Sequence, residues 1–527
     1  MKLNADAKAL QPDIGPGLWP VRDVSVALAF LGVVVLACIL MYWRFVGFLA
    51  SDDNLYLAAA QGWLEHFPYV GKTHWALRDS VTIPMALSVA LFGTTEFAVV
   101  LPTMCYFLAF LALQYVCVVR LFGDRAGAVS AVLALTCPQI LVLATYANSD
   151  MPELFFSSAT IWSFLFALRA PGDRKRWVAC GALAALAVLT RETAASFVIF
   201  ALLLFLFRPI VKRSRYFVLV AGFVPIILGQ WLYLTVMTRD PLYRLSLDLN
   251  HDAVRRGSEV ARVVARGGII DGAGSLSTNV YLDPIVNLLV TQKYALLFWL
   301  AIPACVWVMR RAQGPQRRDC VLLVGFSLVY FLFVAANPKL YLIQRYFVVP
   351  AAAMIVVVAV WLTSLWTTGR RRIFAAALAI ALGANLAALS VENTNPRYAE
   401  RQLVRFVRDH PTQTIHTDPE TGARAETFFR FANVSYSNVS TAPPVDGSIV
   451  FYNGDAIRGC AQFGNCTFDV AQFRKGKDWR LIGSIAAPPR ASGALIATLH
   501  VDRAVPPEIA RKLLHPTGDI EIYRVGQ

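Results

Sequence analysis

The feature that most limits what this chain can fold into is a series of apolar runs, mostly about 17 to 23 residues long, recurring between short basic links. As a helix rising 1.5 Å per residue, such a run covers the ~30 Å of bilayer hydrocarbon. The runs fall at 24–43, 97–119, 126–146, 151–168, 177–189, 194–207, 216–236, 291–309, 319–335, 346–366 and 373–390. They leave only 16% of the residues charged, against roughly 25% in a soluble chain. The sequence therefore predicts a mainly α, polytopic membrane protein with about eleven membrane helices.

The net charge of +15 could point to nucleic acid, but its placement points to topology. Lys and Arg gather in five links: Arg120 with Arg125; Arg169 with Arg174, Lys175 and Arg176; Arg208 with Lys212, Arg213 and Arg215; Arg310, Arg311, Arg317 and Arg318; and Arg370, Arg371 and Arg372. If these share the cytosolic side with the N-terminus, the positive-inside rule puts the alternate loops outside. No Gly-rich dinucleotide fingerprint, P-loop, zinc spacing or basic tract with interleaved aromatics is present, so nucleic acid is excluded as a partner. Residues 24–43 lack a small-residue cleavage site directly after the apolar run and read as a retained span.

Residues 177–207 carry basic clusters at both ends and should leave and return on one side as a short hairpin, with Thr190-Arg191-Glu192-Thr193 at its tip. A single tilted span is the competing reading. Residues 81–93 are too short to span and suit an interfacial helix. Residues 1–390 then form a membrane domain with external loops 44–96 and 237–290, and the stretch "RRGSEVARVVARGGIIDGAGS" in the second loop reads as mobile. From 391 to 527 the composition turns polar. "NPRYAERQLVRFVRDHP" reads as an amphipathic helix and "TIHTD", "SIVFYN", "WRLIGSIA" and "IEIYRV" as strands, giving a small extracytoplasmic α/β domain. Seven of the nine cysteines lie in or beside apolar runs; the other two, Cys460 and Cys466, form a close pair in the polar tail that reads as a disulfide outside the cytosol, with free thiols as the alternative.

The candidate chemistry sits in the alternate loops. "FLASDDNLYLAAAQGWLEHFPYVGKTHWALRDSVTIP" (48–84) follows the first span and holds Asp52, Asp53, His74 and Arg78 among aromatic rings. Ser51 is suited to cap a helix running to about Phe67, with both acids in its first turn. Helical spacing puts Asp52, Tyr56 and Trp63 on one face, which suits an interfacial helix and a carbohydrate site equally. "YANSDMPELFF" adds Asp150 and Glu153, "LTRET" adds Arg191 and Glu192, and "NPKLYLIQRYFVVP" adds Lys339, Tyr341, Arg345 and Tyr346. Each alone reads as a cap or a snorkelling end. Together, on one face, carboxylates and cations read as a site. Outside a membrane, activated sugars hang from a polyprenyl phosphate. Transfer needs a base for the acceptor's proton and cations for the phosphate, roles that suit Asp and Arg or Lys.

Residues 24–366 resemble the membrane glycosyltransferases of GT-C architecture, in particular the group containing lipid A aminoarabinose transferase and bacterial relatives of protein O-mannosyltransferases. The resemblance is carried by "SDDNLYLAAAQGWLEHFPYVG", "THWALRDSVTIPMALSVALFGTTEFAVVLP", "NSDMPELFF", "AVLTRET" and "QRYFVVP". It implies a polyprenyl-phosphate sugar donor and an external acceptor, with the first-loop acid (Asp52 or Asp53, the former preferred) as base. Asp150 matches the second acid. Arg78, Arg191, Lys339 and Arg345 are the candidates for gripping the donor phosphate, and His74 and Trp75 for touching sugar, with interfacial anchoring as the alternative for these two. No cofactor is required by this reading; a divalent cation between acids, which some relatives hold, stays open. The expected activity is inverting transfer of a monosaccharide to envelope lipid or lipopolysaccharide, another glycan, or protein, in a bacterial inner membrane. A lipid-linked sugar flippase and a non-enzymatic envelope scaffold or sensor are the readings from other classes.

Overall fold

A computed structural model of the chain describes residues 24–250, 279, 282–337, 343–463, 468–488, 492–498, 500, 503, 514 and 517–526. The apolar runs become helices. In chain order these are α1 (Val24–Trp43), α2 (Asp52–Glu65), α3 (Asp79–Phe92), α4 (Glu96–Phe122), α5 (Asp124–Thr136), α6 (Pro138–Leu143), α7 (Asp150–Arg169), α8 (Arg174–Thr190), α9 (Ser196–Phe207) and α10 (Ser214–Thr238). They continue as α11 (Tyr243–Asn250), α12 (Asp283–Val290), α13 (Leu297–Arg310), α14 (Gly314–Ala336), α15 (Val348–Thr367) and α16 (Arg371–Ser390). Six of the described helical segments are long and apolar enough to cross a bilayer: Glu96–Phe122, Asp150–Arg169, Ser214–Thr238, Gly314–Ala336, Gln344–Thr367 and Arg371–Ser390. Of these, the second and fifth are enclosed by the others, whereas α10 and α16 expose most of their surface.

Local chemistry explains the breaks. The run at 126–146 is cut by Pro138, which lacks an amide hydrogen and opens α6 after an extended Cys137. The run at 291–309 becomes regular α-helix only from Leu297, after a 3-10 turn at Gln292–Tyr294. The stretch 81–93 forms α3, which stops at Gly93 with φ 73°. At 177–207 the chain runs extended through Arg191 and makes a 3-10 turn over Glu192–Ala195, so two helices replace the single span. α8 packs mainly on α7 and α10, and α9 on α14. The α8–α10 crossing is close because Gly181 and Gly222 face the opposing backbone. A Cβ on the first would stand 1.9 Å from Leu219 O, and one on the second 2.1 Å from Val178 O.

Helix direction alternates, so the five basic links share one end of the bundle. There the buried Asp319 at the start of α14 meets Arg169 from the end of α7 at 2.7 Å. The loops holding the candidate site residues share the other end.

The polar tail forms α17 (Tyr398–Asp409), α18 (Pro419–Phe431), α19 (Gly454–Phe463) and α20 (Gly493–Thr498) around five strands: β1 (Ile415–His416), β2 (Val439–Ser440), β3 (Ile449–Tyr452), β4 (Trp479–Ile485) and β5 (Ile520–Val525). The sheet order is β2-β1-β3-β5-β4, with β1 parallel to β2 and β3, and β5 antiparallel to β3 and β4. Period-two alternation sends Ile520 and Ile522 to one face and Tyr523 and Val525 to the other. The first face buries Leu403, Val404 and Val407 of α17 and Phe428 and Phe429 of α18. The same core takes in Phe48, Ala50, Tyr56 and Leu57, so the loop after α1 packs into the C-terminal segment. Cys460 is disulfide-bonded. Cys466 lies outside the described residues, as does the 255–275 stretch read as mobile.

Candidate active site

The loop after α1 turns sharply before α2. Gly47 (φ 79°) and Ala50 (φ 49°) both take left-handed backbone. The φ of Gly47 favours glycine, and a Cβ there would lie 2.1 Å from Glu96 Oε1 and force that carboxylate to move. Ser51 precedes α2 but makes no side-chain cap. Asp53 satisfies the turn instead: its carboxylate accepts from Leu49 N at 2.5 Å and Ser51 N at 2.6 Å. The side chain of Asp53 is buried, and burial raises its pKa to about 6, against the pull of the two amides and of the Arg397 charge. Helix α2 ends at Glu65 rather than Phe67.

Asp52, one residue earlier, faces a cavity of about 510 Å³ at this end of the bundle. Its side chain is 34% exposed and its Oδ2 lies 3.2 Å from Arg345 Nη2. Arg345 comes from the 3-10 turn Gln344–Phe347 leading into α15, and its Nε stands 3.8 Å from Asp150 Oδ2. Asp150 opens α7 and also pairs with Arg191, which caps the break between α8 and α9. Arg191 further reaches Glu153 at 3.4 Å and lies 4.3 Å from the centre of the Tyr346 ring. One chain of alternating charges, Asp52–Arg345–Asp150–Arg191–Glu153, thus runs from the open cavity into the protein.

A second chain flanks it. Arg78 donates to Tyr56 Oη at 2.8 Å and Ser149 Oγ at 2.9 Å and pairs with Glu192 at 3.6 Å. Glu192 also meets Arg244 at 3.2 Å, and Arg244 meets Asp248 at 3.4 Å.

The cavity wall includes Asp52, Asp53, Tyr56, His74, Arg78, Asp150, Arg191, Glu192, Arg345 and Tyr346. Two candidates read from the sequence stand elsewhere. Glu153 lies behind the wall, its carboxylate taken by Tyr330 Oη at 2.6 Å, by Thr193 Oγ1 and by Arg191. A carboxylate so fully engaged supports its neighbours and does not present itself to a substrate. Trp63, expected on the Asp52 face, turns to Phe67, Tyr69 and Thr82. Lys339 and Tyr341 lie outside the described residues.

Sequence reasoning missed Tyr146, Ser149 and Asp248 in the wall and Arg244 behind it. Tyr146 and Ser149 were within reach, the former two positions before the "NSD" match and the latter inside it; the α11 residues carried no motif. As for a cation, no group of three or more His, Cys, Asp or Glu side chains comes together as a metal site among the described residues. The Asp52 and Asp150 carboxylates are instead bridged by Arg345.

The model of the dolichyl-phosphate-mannose-protein mannosyltransferase family matches residues 83–233, from α3 into α10. Comparison with curated proteins found no match. Among solved structures, ArnT from Cupriavidus metallidurans in the apo state aligns over 83% of this chain and 94% of its own, with TM-score 0.56 and 15% identity. The same protein bound to undecaprenyl phosphate aligns over the same shares, with TM-score 0.51 and 13% identity. The oligosaccharyltransferase AglB from Archaeoglobus fulgidus, in complex with an inhibitory peptide and a dolichol-phosphate, aligns over 95% of this chain and 88% of its own, with TM-score 0.54 and 11% identity. The chain has the fold of the GT-C membrane glycosyltransferases.

Proposed function

We propose that this chain is a polyprenyl-phosphate-sugar-dependent glycosyltransferase of the bacterial inner membrane, with its cavity and its 391–527 segment on the periplasmic side. The observation that carries the reading is the meeting of Asp52, Arg345 and Asp150 at the wall of one cavity in a bundle of this fold. Support for the donor class comes from fold neighbours bound to undecaprenyl phosphate and to a dolichol-phosphate.

In this reading the donor phosphate docks on the cavity face of Arg345, with Arg78 and Arg191 supplying further positive charge from the same wall. A phosphate oxygen that takes the Arg345 Nη2 hydrogen bond displaces Asp52 from it. The freed Asp52 carboxylate then accepts the proton of an acceptor hydroxyl. The hydroxyl oxygen bonds to the anomeric carbon of the sugar as the bond from that carbon to the phosphate oxygen breaks. The bonding pair leaves with the phosphate, and polyprenyl phosphate is released. One displacement inverts the anomeric centre. Asp150, wedged between Arg345 and Arg191, holds both guanidinium groups in place. Lipid A or lipopolysaccharide, another envelope glycan, and protein are the acceptor classes that this external chemistry admits.

The test is transfer by the purified protein from polyprenyl-phosphate-linked pentoses and hexoses to envelope lipid, glycan and protein fractions, followed by mass analysis. Sugar appearing on one fraction, lost in Asp52→Asn, is the expected result. Transfer that persists in Asp52→Asn and in Asp53→Asn overturns the assignment of the base. No transfer from any such donor overturns the function.

A further inference from the structure

The loop that carries Asp52 is held in part from the C-terminal segment, by residues that do not themselves line the cavity. Arg397 Nε donates to Leu49 O, on the residue whose amide Asp53 binds. Its charge also acts on Asp53. One helical turn on, Arg401 donates to Val46 O at 3.1 Å and to Glu96 Oε1 at 2.5 Å, and Glu96 accepts from Phe48 N at 2.7 Å. From α18, Thr427 Oγ1 donates to Asn54 Oδ1 at 2.9 Å. The Phe48 ring packs edge-on against Phe428 and Phe431, at 5.6 and 5.1 Å between centres. Residues 46, 48, 49, 53 and 54 are thus fixed from behind. Leu49, Ser51 and Asp53 also border the cavity, but the Asp53 carboxylate is taken up by backbone amides, and it is the Asp52 carboxylate that meets Arg345 there.

We propose that Arg397 and Thr427 of the C-terminal segment are positioning residues for Asp52, so that this segment completes the transfer site instead of standing apart from it. The inference rests on the reading of Asp52 as proton acceptor. Its physical basis is that a left-handed turn at Gly47 and Ala50 is not self-supporting, and that Arg397, through the Leu49 carbonyl, and Thr427, through Asn54, brace the chain on either side of Asp52. When Arg397 is lost, the Leu49 carbonyl loses its donor and Asp53 loses a positive charge that favours its ionised form. The turn then relaxes and carries Asp52 away from Arg345. A displacement of about 1 Å at a reacting group lowers the rate about a hundredfold.

The experiment compares Arg397→Ala, Arg397→Lys, Thr427→Val, Asp52→Asn and the double variant Asp52→Asn/Arg397→Ala. Each is assayed with the donor and acceptor found active in the transfer assay, and each is also tested for binding of undecaprenyl phosphate. The expected result is a fall in kcat of about ten- to a hundredfold in Arg397→Ala, with binding of undecaprenyl phosphate changed less than about twofold. Arg397→Lys, which keeps a charge and a donor, recovers most of the rate, and Thr427→Val loses it several-fold. In the double variant the residual rate of Asp52→Asn falls no further, because residues acting through one group are not additive. The inference is overturned by a normal kcat in Arg397→Ala, or by a double variant slower than Asp52→Asn by the full Arg397→Ala factor. If Arg397→Ala does not yield folded protein, Arg397→Lys and Thr427→Val carry the comparison. A normal rate in both then overturns it. An inactive Asp52→Asn beside an unimpaired Arg397→Ala sinks this inference alone, whereas an unimpaired Asp52→Asn sinks the reading of the base.

Discussion

Arg345 Nη2 stands 3.2 Å from Asp52 Oδ2 across 293 positions of the chain, and the same guanidinium reaches Asp150 through its Nε at 3.8 Å. Both partners of the outer pair are partly open to the cavity, at 26% and 34% side-chain exposure, whereas Asp150 is 2% exposed. An anion entering the cavity therefore meets Arg345 and competes with Asp52 for it. Arg345→Ala is expected to lower kcat/KM by about a hundredfold or more, the scale set by removing one preorganised charge-stabilising donor. Arg345→Lys keeps a point charge but cannot reach both acids at once, so it should recover only part of that loss. The check is steady-state kinetics on both variants. Equal activity in Arg345→Lys and the parent protein would show that the bidentate geometry is irrelevant.

Asp53 yields a pH prediction. Burial raises its carboxyl to about 6, so it is ionised at pH 7 and takes up a proton as the pH falls through about 6. Protonation removes the charge that faces Arg397 and weakens the acceptors that hold Leu49 N and Ser51 N. The expected outcome is an acidic limb in kcat near pH 6 for the parent protein, with Asp52 losing its fixed position as the pH drops. In Asp53→Asn the rate is lower, and that limb is absent. A limb of unchanged midpoint in Asp53→Asn refutes the assignment, and a pH–rate series on the two proteins decides it.

The helical bundle was legible in the sequence because hydrocarbon thickness imposes a length and basic links impose an alternation, and both are local signals. Pairing was not. That Arg191 would reach back to Asp150 and Glu153, or that Arg244 on α11, a segment without a motif, would join Glu192, depends on how α7, α8, α10 and α11 pack. The close glycine crossing that sets this packing has no signature beyond two isolated glycines. The roles of the adjacent acids were likewise hidden. In a helix's first turn, Asp52 and Asp53 look equivalent; the turn at Gly47 and Ala50 sends one carboxylate into the backbone and the other into the cavity.

The inner end of the charge chain is enclosed by protein. Glu153 is fully buried and binds Arg191, Thr193 and Tyr330. Glu153→Gln keeps the shape but removes the charge that offsets Arg191, leaving Asp150 as its remaining close acid. Removing one partner of a buried pair costs about 3 kcal/mol; here the second acid absorbs part of that. A fall in melting temperature with little change in KM for the donor is expected, measured by thermal unfolding in detergent beside the kinetics. A large rise in KM with unchanged melting would instead put Glu153 in contact with substrate.

The α8–α10 crossing gives a prediction far from any charge. Gly222 opposes Val178 and Gly181 opposes Leu219, with backbone oxygen about where each Cβ would stand. Backbone cannot yield as a flexible side chain can, so Gly222→Val must push the two helices apart. Overpacking of this kind costs about 1–3 kcal/mol or more. Arg191 directly follows the last residue of α8, and α10 supplies Gln230, which accepts from Arg244 at 2.9 Å. A wider crossing therefore loosens both charge chains at once. Gly222→Val should lower the melting temperature and the activity together, and Gly229→Val, on the same helix with no atom within 4 Å of its Cβ position, should lower neither by much. Equal losses in the two variants would show that helix propensity, not the crossing, governs this region.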